Sequence, residues 1–200
     1  MSLAATVRIV LVTLLLAATA GCATRPPGPP PMASRDEVQA LAEALKGLGD
    51  AVDPAEAERL AEIAYEHTHE LAIQYQIEDP PLIHNMKVNM GLKPRGLCKD
   101  WADDMETRLR QEDFQSLSLH RAIANHDKAF RIEHSTVIVS ARGADMYEGI
   151  VIDPWRLGGV LWWGKVTEDP DYDWAPREEV FAYKRRLMEH DAVMAARNGS

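Results

Sequence analysis

The sequence predicts an α+β fold, in which N-terminal helices and a cysteine-bearing helix pack on an antiparallel sheet. Between residues 34 and 110, apolar side chains recur every three or four positions, as on the buried face of a helix. After Asp113 the spacing changes to the two-residue alternation that is typical of strands. A group of helices followed by closely linked strands indicates an α+β domain with an antiparallel sheet.

Residues 1–21 are expected to be a signal peptide. They carry one positive charge, Arg8, followed by the apolar run IVLVTLLLAATA, which is too short to favour a membrane span. The ending TAGC resembles a bacterial lipobox, which implies that Cys22 is lipidated and becomes the new N-terminus; secretion without a lipid is the alternative. The resemblance to lipoproteins implies a place in the cell envelope, on the periplasmic face of the outer membrane where the host has one.

The residues after Cys22 divide into a tether and a folded part. Residues 22–33 are rich in proline, which favours an extended tether between the lipid and the rest of the chain. Residues 34–200 are enough for a single domain with a buried core.

Local start signals predict the helices. Ser34 and Glu37 have the spacing of a capping box, and Asp53 before Pro54 is a second start signal. We expect four helices in this region, at residues 34–47, 54–76, 81–90 and 98–110. A charged helix over residues 177–197 is expected to close the chain.

Four segments read as successive strands. They are SLSLHRAI, HSTVIVSA, YEGIVID and GVLWWGKV, at residues 116–123, 134–141, 147–153 and 159–166. The acidic run EDPDYDW, at residues 168–174, is expected to be a solvated loop.

The second and third strands are expected to form a tight hairpin. Gly143 and Ala144 suit the centre of a type II′ turn, and that turn pairs residues whose numbers sum to 287. His134 and Asp153 would then face each other directly across the two strands. The opposite face of the hairpin would carry an apolar set: Val137, Val139, Ala141, Ile150 and Ile152.

The overall charge limits the classes of partner. The chain has a formal net charge of −9 and no basic run, which argues against nucleic acid and against electrostatic docking on a membrane. It contains two cysteines, so lipidation of Cys22 would leave Cys98 without a disulfide partner. A spare thiol is a liability in an oxidising compartment, and Cys98 therefore needs a chemical explanation.

Cys98 is expected to be a nucleophile. It stands at the start of a helix, where the helix dipole and a nearby imidazolium stabilise a thiolate and free N–H groups can bind an oxyanion. Gly96 permits a tight approach to the helix. If this helix packs on the His134 face of the hairpin, the thiol joins a base, His134, and a carboxylate that orients it, Asp153.

These residues resemble a known group of enzymes. The motif GLCKDWA, a later strand beginning at His134 and a strand ending VIDPW look like the transglutaminase-like branch of the papain-type cysteine enzymes. The resemblance covers about residues 81–165 and implies that Cys98 is the nucleophile, His134 the base and Asp153 the orienting acid. It implies structural support from Asp100 and Trp101.

Two features depart from the family pattern. Glu133 stands before the histidine, where a small or aromatic residue is expected, and no upstream glutamine is available for an oxyanion hole. Asn85, Asn89 or His84 could replace that glutamine, and we otherwise expect His84 to be solvated or to cap a helix. His67 and His69 do not form a metal site, because residues two apart point to different helix faces. No metal or cofactor is expected.

The sequence thus predicts a cell-envelope thiol enzyme that cleaves or transfers an amide bond through a Cys98 acyl-enzyme. Its substrate would be a protein or a cell-wall peptide, with water or an amine as the acceptor. The alternative is a non-catalytic envelope lipoprotein that uses the same fold as a binding or scaffold module. A cell-wall hydrolase of the NlpC/P60 type is disfavoured, because its cysteine motif usually runs aspartate-cysteine-serine-glycine.

Overall fold

A five-stranded antiparallel sheet organises the fold. The computed structural model describes residues 28–198, and the predicted signal peptide and Cys22 lie outside them. The strands stand in the order β4-β3-β2-β1-β5. They are β1 (Leu117–Ala124), β2 (His134–Ala141), β3 (Ile150–Asp153), β4 (Trp162–Lys165) and β5 (Trp174–Pro176).

The described residues contain five α-helices. They are α1 (Arg35–Lys46), α2 (Pro54–Gln74), α3 (Pro81–Asn89), α4 (Cys98–Arg110) and α5 (Arg177–Asn198). The α+β class and the antiparallel sheet are therefore confirmed. Within residues 28–198 we find no helix with the length and apolar character needed to cross a bilayer.

The predicted capping residues begin the first two helices. The Ser34 Oγ accepts the Glu37 N–H at 3.3 Å, and the Glu37 carboxylate accepts the Ser34 N–H at 2.8 Å. Asp53 accepts the Ala55 N–H at 2.7 Å. Each cap satisfies N–H groups that have no partner inside the helix, so the start of the helix is set locally.

The predicted register of the hairpin is wrong by two residues. Val137 pairs with Ile152 and Val139 with Ile150, so the paired numbers sum to 289 and His134 is not directly opposite Asp153. The chain turns earlier than predicted, in a turn where the Ala144 N–H donates to the carbonyl of Ala141. It then forms a short 3-10 helix, Met146–Glu148, in place of the two-residue turn and the start of the predicted third strand.

The shift of two residues keeps every side chain on its predicted face, because the side-chain period of a strand is two. Val137, Val139, Ile150 and Ile152 all lie in one core, which helices α1, α2 and α4 cover. Ile138 and Val151 lie in a second cluster on the other face.

Helix α4 packs on the face opposite to the one that we expected. Its Met105 and Leu109 lie in the core with Val137, whereas the ring of His134 lies on the other face, against Trp174. The first turn of α4 lies beside the start of β2. Cys98 therefore approaches His134 around the N-terminal end of this strand and not through the sheet.

The end of the predicted tether lies against the folded part. Pro30 is buried, and its carbonyl accepts a hydrogen bond from Nδ1 of His69 at 2.9 Å. The Pro30 ring is also close to Gly159, where an added Cβ would lie 3.1 Å from its Cγ. Residues 28–33 are therefore not wholly free of the domain that follows them.

Candidate active site

The loop before α4 places Cys98 at the first helical position. Gly96 has a φ of +125°, and a Cβ on it would lie 2.6 Å from Nε2 of His84, so no larger side chain fits there. Asp100 accepts the N–H groups of Gly96 and Leu97 at 3.1 and 3.0 Å. Trp101 donates its Nε1–H to the Gly96 carbonyl at 3.1 Å. Asp100 and Trp101 thus hold the backbone of the loop that leads to Cys98.

The Cys98 thiol lies half-buried at the mouth of the site. Its Sγ donates to the carbonyl oxygen of Glu133 at 3.5 Å, next to the start of β2. The N–H groups of Cys98 and Lys99 belong to the first turn of α4 and have no acceptor within the helix. Helix dipole and free N–H groups both favour negative charge at this point.

His134 and Asp153 form a buried hydrogen-bonded pair. The Nε2–H of His134 donates to Oδ2 of Asp153 over 2.6 Å, and the two residues are 1% and 0% exposed. The contact runs diagonally between the strands, because the register differs from the predicted one. The other ring nitrogen, Nδ1, is buried and makes no hydrogen bond with the described residues. It is the ring nitrogen that remains available to a neighbouring group such as the Cys98 thiol.

The charges of this pair stabilise each other. Burial alone would lower the pKa of His134, but the charge and hydrogen bond of Asp153, together with the nearby Cys98, raise it from 6.5 to about 9. Burial would raise the pKa of Asp153, but His134 and then Arg156 lower it. The site therefore favours an imidazolium and a carboxylate over their neutral forms.

Three aromatic rings shield the histidine. The ring centroids of Trp155, Tyr172 and Trp174 lie 4.6, 4.7 and 5.3 Å from that of His134. They hold the imidazole in place and exclude water from its hydrogen bond to Asp153, which makes that bond stronger.

The ion pair behind Asp153 was not predicted from the sequence. The Arg156 Nε–H donates to Oδ2 of Asp153 at 3.0 Å, and its two terminal nitrogens bind Asp169 at 3.0 and 2.6 Å. The side chain of Asp169 is buried, so the expectation that the whole acidic run is solvated is wrong. An arginine soon after VIDPW and an acidic run further on were the available signals, but their pairing depends on the fold.

Two adjoining cavities meet at His134. One, of about 940 Å³, contains Cys98, and its surface is largely apolar, with Met86 and Phe181 among the side chains that line it. The other, of about 800 Å³, extends past Trp155 and Tyr172. Leu82, Ile132 and His134 line both cavities. Together they form one cleft, which we call the Cys98 cleft.

The three side chains considered for the oxyanion hole differ in position. Asn85 and Asn89 line the Cys98 cleft. Oδ1 of Asn85 accepts the Nε1–H of Trp155 at 3.1 Å, which leaves its NH₂ group as a donor for a ligand. His84 is buried and bonds to the Arg95 carbonyl at 2.9 Å, so it is neither solvated nor turned towards the thiol.

The described residues offer no metal site: no group of three or more His, Cys, Asp and Glu side chains could hold an ion. His67 bonds to Glu70 at 3.0 Å, and His69 bonds to the Pro30 carbonyl. These contacts lie within helix α2 or between that helix and the N-terminal segment.

Comparison of the chain with protein-family models, with curated proteins and with solved structures found no match. An inference of function therefore starts from the site itself. Its parts are a thiol at a helix N-terminus, a buried histidine with one free nitrogen, and a carboxylate on the other nitrogen.

Proposed function

We propose that this protein is a cell-envelope thiol enzyme that cleaves or transfers an amide bond, with a transglutaminase-like core. The observation that carries the proposal is the buried 2.6 Å bond between His134 Nε2 and Asp153 Oδ2 beside the Cys98 thiol. That bond leaves Nδ1 of His134 without a hydrogen-bond partner among the described residues, and Cys98 is near enough to raise the pKa of the ring. A nucleophile, a base and a group that orients the base are the parts of a catalytic triad.

The first half of the reaction would form an acyl-enzyme. In the resting site the proton of Cys98 already lies on Nδ1 of His134, as a thiolate–imidazolium pair, and the thiolate attacks the carbonyl carbon of the substrate. The backbone N–H of Cys98 and the NH₂ of Asn85 stabilise the oxyanion. When the C–N bond breaks, the imidazolium gives its proton to the leaving amine, and a thioester remains on Cys98.

The second half would release the acyl group. His134 removes a proton from water or from an acceptor amine, and the nucleophile attacks the thioester carbonyl. The thiolate leaves and remains paired with the imidazolium, so the enzyme returns to its initial state. Water gives hydrolysis, and an amine gives transamidation.

The Cys98 cleft favours a polypeptide substrate over a cell-wall peptide. Several large apolar side chains along it are exposed, with Leu82 at 53%, Met86 at 59% and Ile132 at 59%. Exposed apolar groups around a reactive centre are typical of a surface that binds apolar partners. Arg121 on the cleft wall is already paired with Asp103 and Glu106, so it adds little attraction for an acidic peptide.

The direct test is activity on defined substrates. Purified protein is incubated with casein, with envelope proteins and with purified peptidoglycan, and products are identified by mass spectrometry. We expect peptide cleavage or amine incorporation in the protein samples and its complete loss in Cys98→Ala.

Two outcomes would separate the alternatives. Release of peptidoglycan fragments would keep the thiol chemistry and overturn the polypeptide substrate. No turnover of any substrate, with an envelope phenotype that Cys98→Ala leaves intact, would overturn the enzyme in favour of a binding or scaffold lipoprotein. Cys98→Ala serves in both arms, because removing a half-buried sulfur disturbs little packing.

A further inference from the structure

Arg156 shares the carboxylate that orients His134. Its Nε–H and the Nε2–H of His134 both donate to Oδ2 of Asp153, at 3.0 and 2.6 Å. Oδ1 of the same carboxylate accepts the backbone N–H groups of Trp155 and Arg156 at 3.1 and 3.2 Å. Within residues 28–198, the donors to the Asp153 carboxylate are therefore the imidazole of His134 and the turn that follows β3.

The guanidinium is held equally firmly on its far side. Its terminal nitrogens make two hydrogen bonds to Asp169, and it lies over the rings of Trp162 and Tyr172, 3.7 and 4.6 Å from their centroids. The side chain of Arg156 is only 7% exposed, and those of Asp153 and Asp169 are 0% exposed. A planar cation that is bound in this way has one available orientation.

We propose that Arg156, anchored by Asp169, is a positioning residue that keeps the Asp153 carboxylate charged and in contact with His134 throughout the catalytic cycle. The inference rests on the proposed function. In that reaction His134 is an imidazolium in some steps and a neutral ring in others. Without Arg156, Asp153 would be a buried charge with no counter-ion whenever the ring is neutral, and such a charge is strongly unfavourable. Arginine keeps its charge at every working pH, so it pairs with Asp153 in both states.

The other charged groups near the pair come from four segments. Glu133, before β2, is paired with Lys184 of α5 at 2.6 Å. Asp171, which is exposed, lies 3.5 Å from a terminal nitrogen of Arg156. The Cys98 thiol comes from the start of α4, and Tyr172 contributes a phenol whose pKa burial raises.

Removing the charge of Arg156 has a distinctive expected effect on pH behaviour. Two midpoints are measured: the pH of half-maximal Cys98 alkylation by iodoacetamide, and the titration of the His134 ring protons by NMR. In Arg156→Gln a positive charge is lost from the site, so the Cys98 thiol and the His134 imidazolium both hold their protons more tightly. We expect both midpoints to move upwards by about 0.5–1 pH unit.

Removing the anchor is expected to act in the opposite direction. Asp169→Asn removes a negative charge and leaves Arg156 in place, so both midpoints should move downwards. Arg156→Lys retains a cation beside Asp153 and should return both midpoints towards the wild-type values. Arg142→Gln is the matched control: this arginine follows the far end of β2 and bonds to the Phe114 and Gln115 carbonyls, so its loss should change neither midpoint.

A purely structural role gives a different result. If Arg156 only stabilises the fold, its loss loosens the site, and the midpoints converge on those of ordinary groups. The histidine would fall towards about 6.5 and the thiol would rise towards about 8.5, in Arg156→Gln and Asp169→Asn alike. That convergence, or unchanged midpoints in both variants, would overturn the inference. If Arg156→Gln does not fold, the Cys98 midpoint in Asp169→Asn decides, because it falls under the inference and rises under a purely structural role.

The wild-type titration separates this inference from the proposed function. An ordinary thiol midpoint in the wild-type protein, with no influence of His134, contradicts the enzyme itself. A low thiol midpoint in the wild type, without the opposite shifts in the two variants, contradicts only the role of Arg156.

Discussion

At the scale of single residues, His134 is the point where the contacts of the site converge. Asp153 binds one ring nitrogen, and three aromatic rings pack around the imidazole. The second nitrogen has no hydrogen-bond partner in the described part of the chain. An unpartnered buried nitrogen is costly, and it is retained here beside a thiol that could use it. Nδ1 of His134 is therefore both the atom whose burial costs free energy and the atom that would act as the base.

Asn85 gives a test of the oxyanion hole. Trp155 occupies its side-chain oxygen, so the amide NH₂ is oriented as a donor. We expect Asn85→Ala to lower kcat by about 10²–10³-fold with little change in KM, because the donor acts mainly on the transition state.

Asn89→Ala is the matched control for that prediction. Asn89 lines the same cleft, and no Trp155 bond fixes its amide. We expect a smaller change in kcat for Asn89→Ala. Equal loss in the two variants, or loss only in Asn89→Ala, would show that Asn85 is not the donor.

At the scale of elements, the start of α4 and the start of β2 form the site together. Helix α4 packs on one face of the sheet while His134 points to the other, and they meet because both begin at the same end of the sheet. The loop that leads into α4 has no room for a side chain at residue 96, because Gly96 lies against the buried ring of His84.

Gly96→Ala is expected to disrupt this approach. The new Cβ would meet His84 at 2.6 Å in a left-handed backbone conformation, and we expect a loss of about 2–5 kcal/mol in the free energy of unfolding. Urea denaturation measures it. Gly143→Ala is the control, because Gly143 also has a positive φ but open space around its Cα, and a loss of about 1 kcal/mol is expected there. Equal losses would show that the contact with His84 does not limit the position.

The elements also show what the sequence could predict. Capping residues act on the helix that follows them, so the starts of α1 and α2 at Ser34 and Asp53 were predictable. The bounds of α4 were predictable from its amphipathic spacing, because its N-cap is Leu97, whose side chain makes no capping bond. The hairpin register depends on how residues 142–149 fold against their surroundings, and the turn residues alone gave the wrong pairing. Burial of Asp169 depends on Arg156, which is distant in sequence, so a local pattern indicated an exposed loop.

At the scale of the whole molecule, the protonation of His134 makes the free energy of unfolding depend on pH. The pKa of His134 is raised from 6.5 to about 9 in the folded state, so the folded protein binds this proton more tightly than the unfolded chain. Its contribution is complete below pH 6.5 and is lost as the pH rises to about 9, with a magnitude of about 3 kcal/mol at most. Urea unfolding between pH 6 and 9.5 should show this decline in the wild type, whereas His134→Gln should show a flatter profile. The same slope in both proteins would assign the decline to other groups.

Attachment to the envelope is a second property of the whole chain. The lipobox resemblance at Cys22 predicts that Cys22→Ser, or treatment of cells with globomycin, leaves an unprocessed or soluble form. Fractionation followed by immunoblotting measures this. Cys98→Ser is the control and should fractionate as the wild type does. Unchanged fractionation of Cys22→Ser would contradict the lipid anchor without affecting the proposed chemistry.

The most direct test of the thiol site is the pH dependence of Cys98 alkylation in the wild type and in His134→Ala, followed by mass spectrometry. A thiolate stabilised by His134 and the α4 N-terminus should react at its half-maximal rate well below about pH 8, and His134→Ala should move that midpoint towards about 8.5. A wild-type midpoint near 8.5 that His134→Ala does not change would contradict an activated Cys98 and, with it, the proposed enzyme.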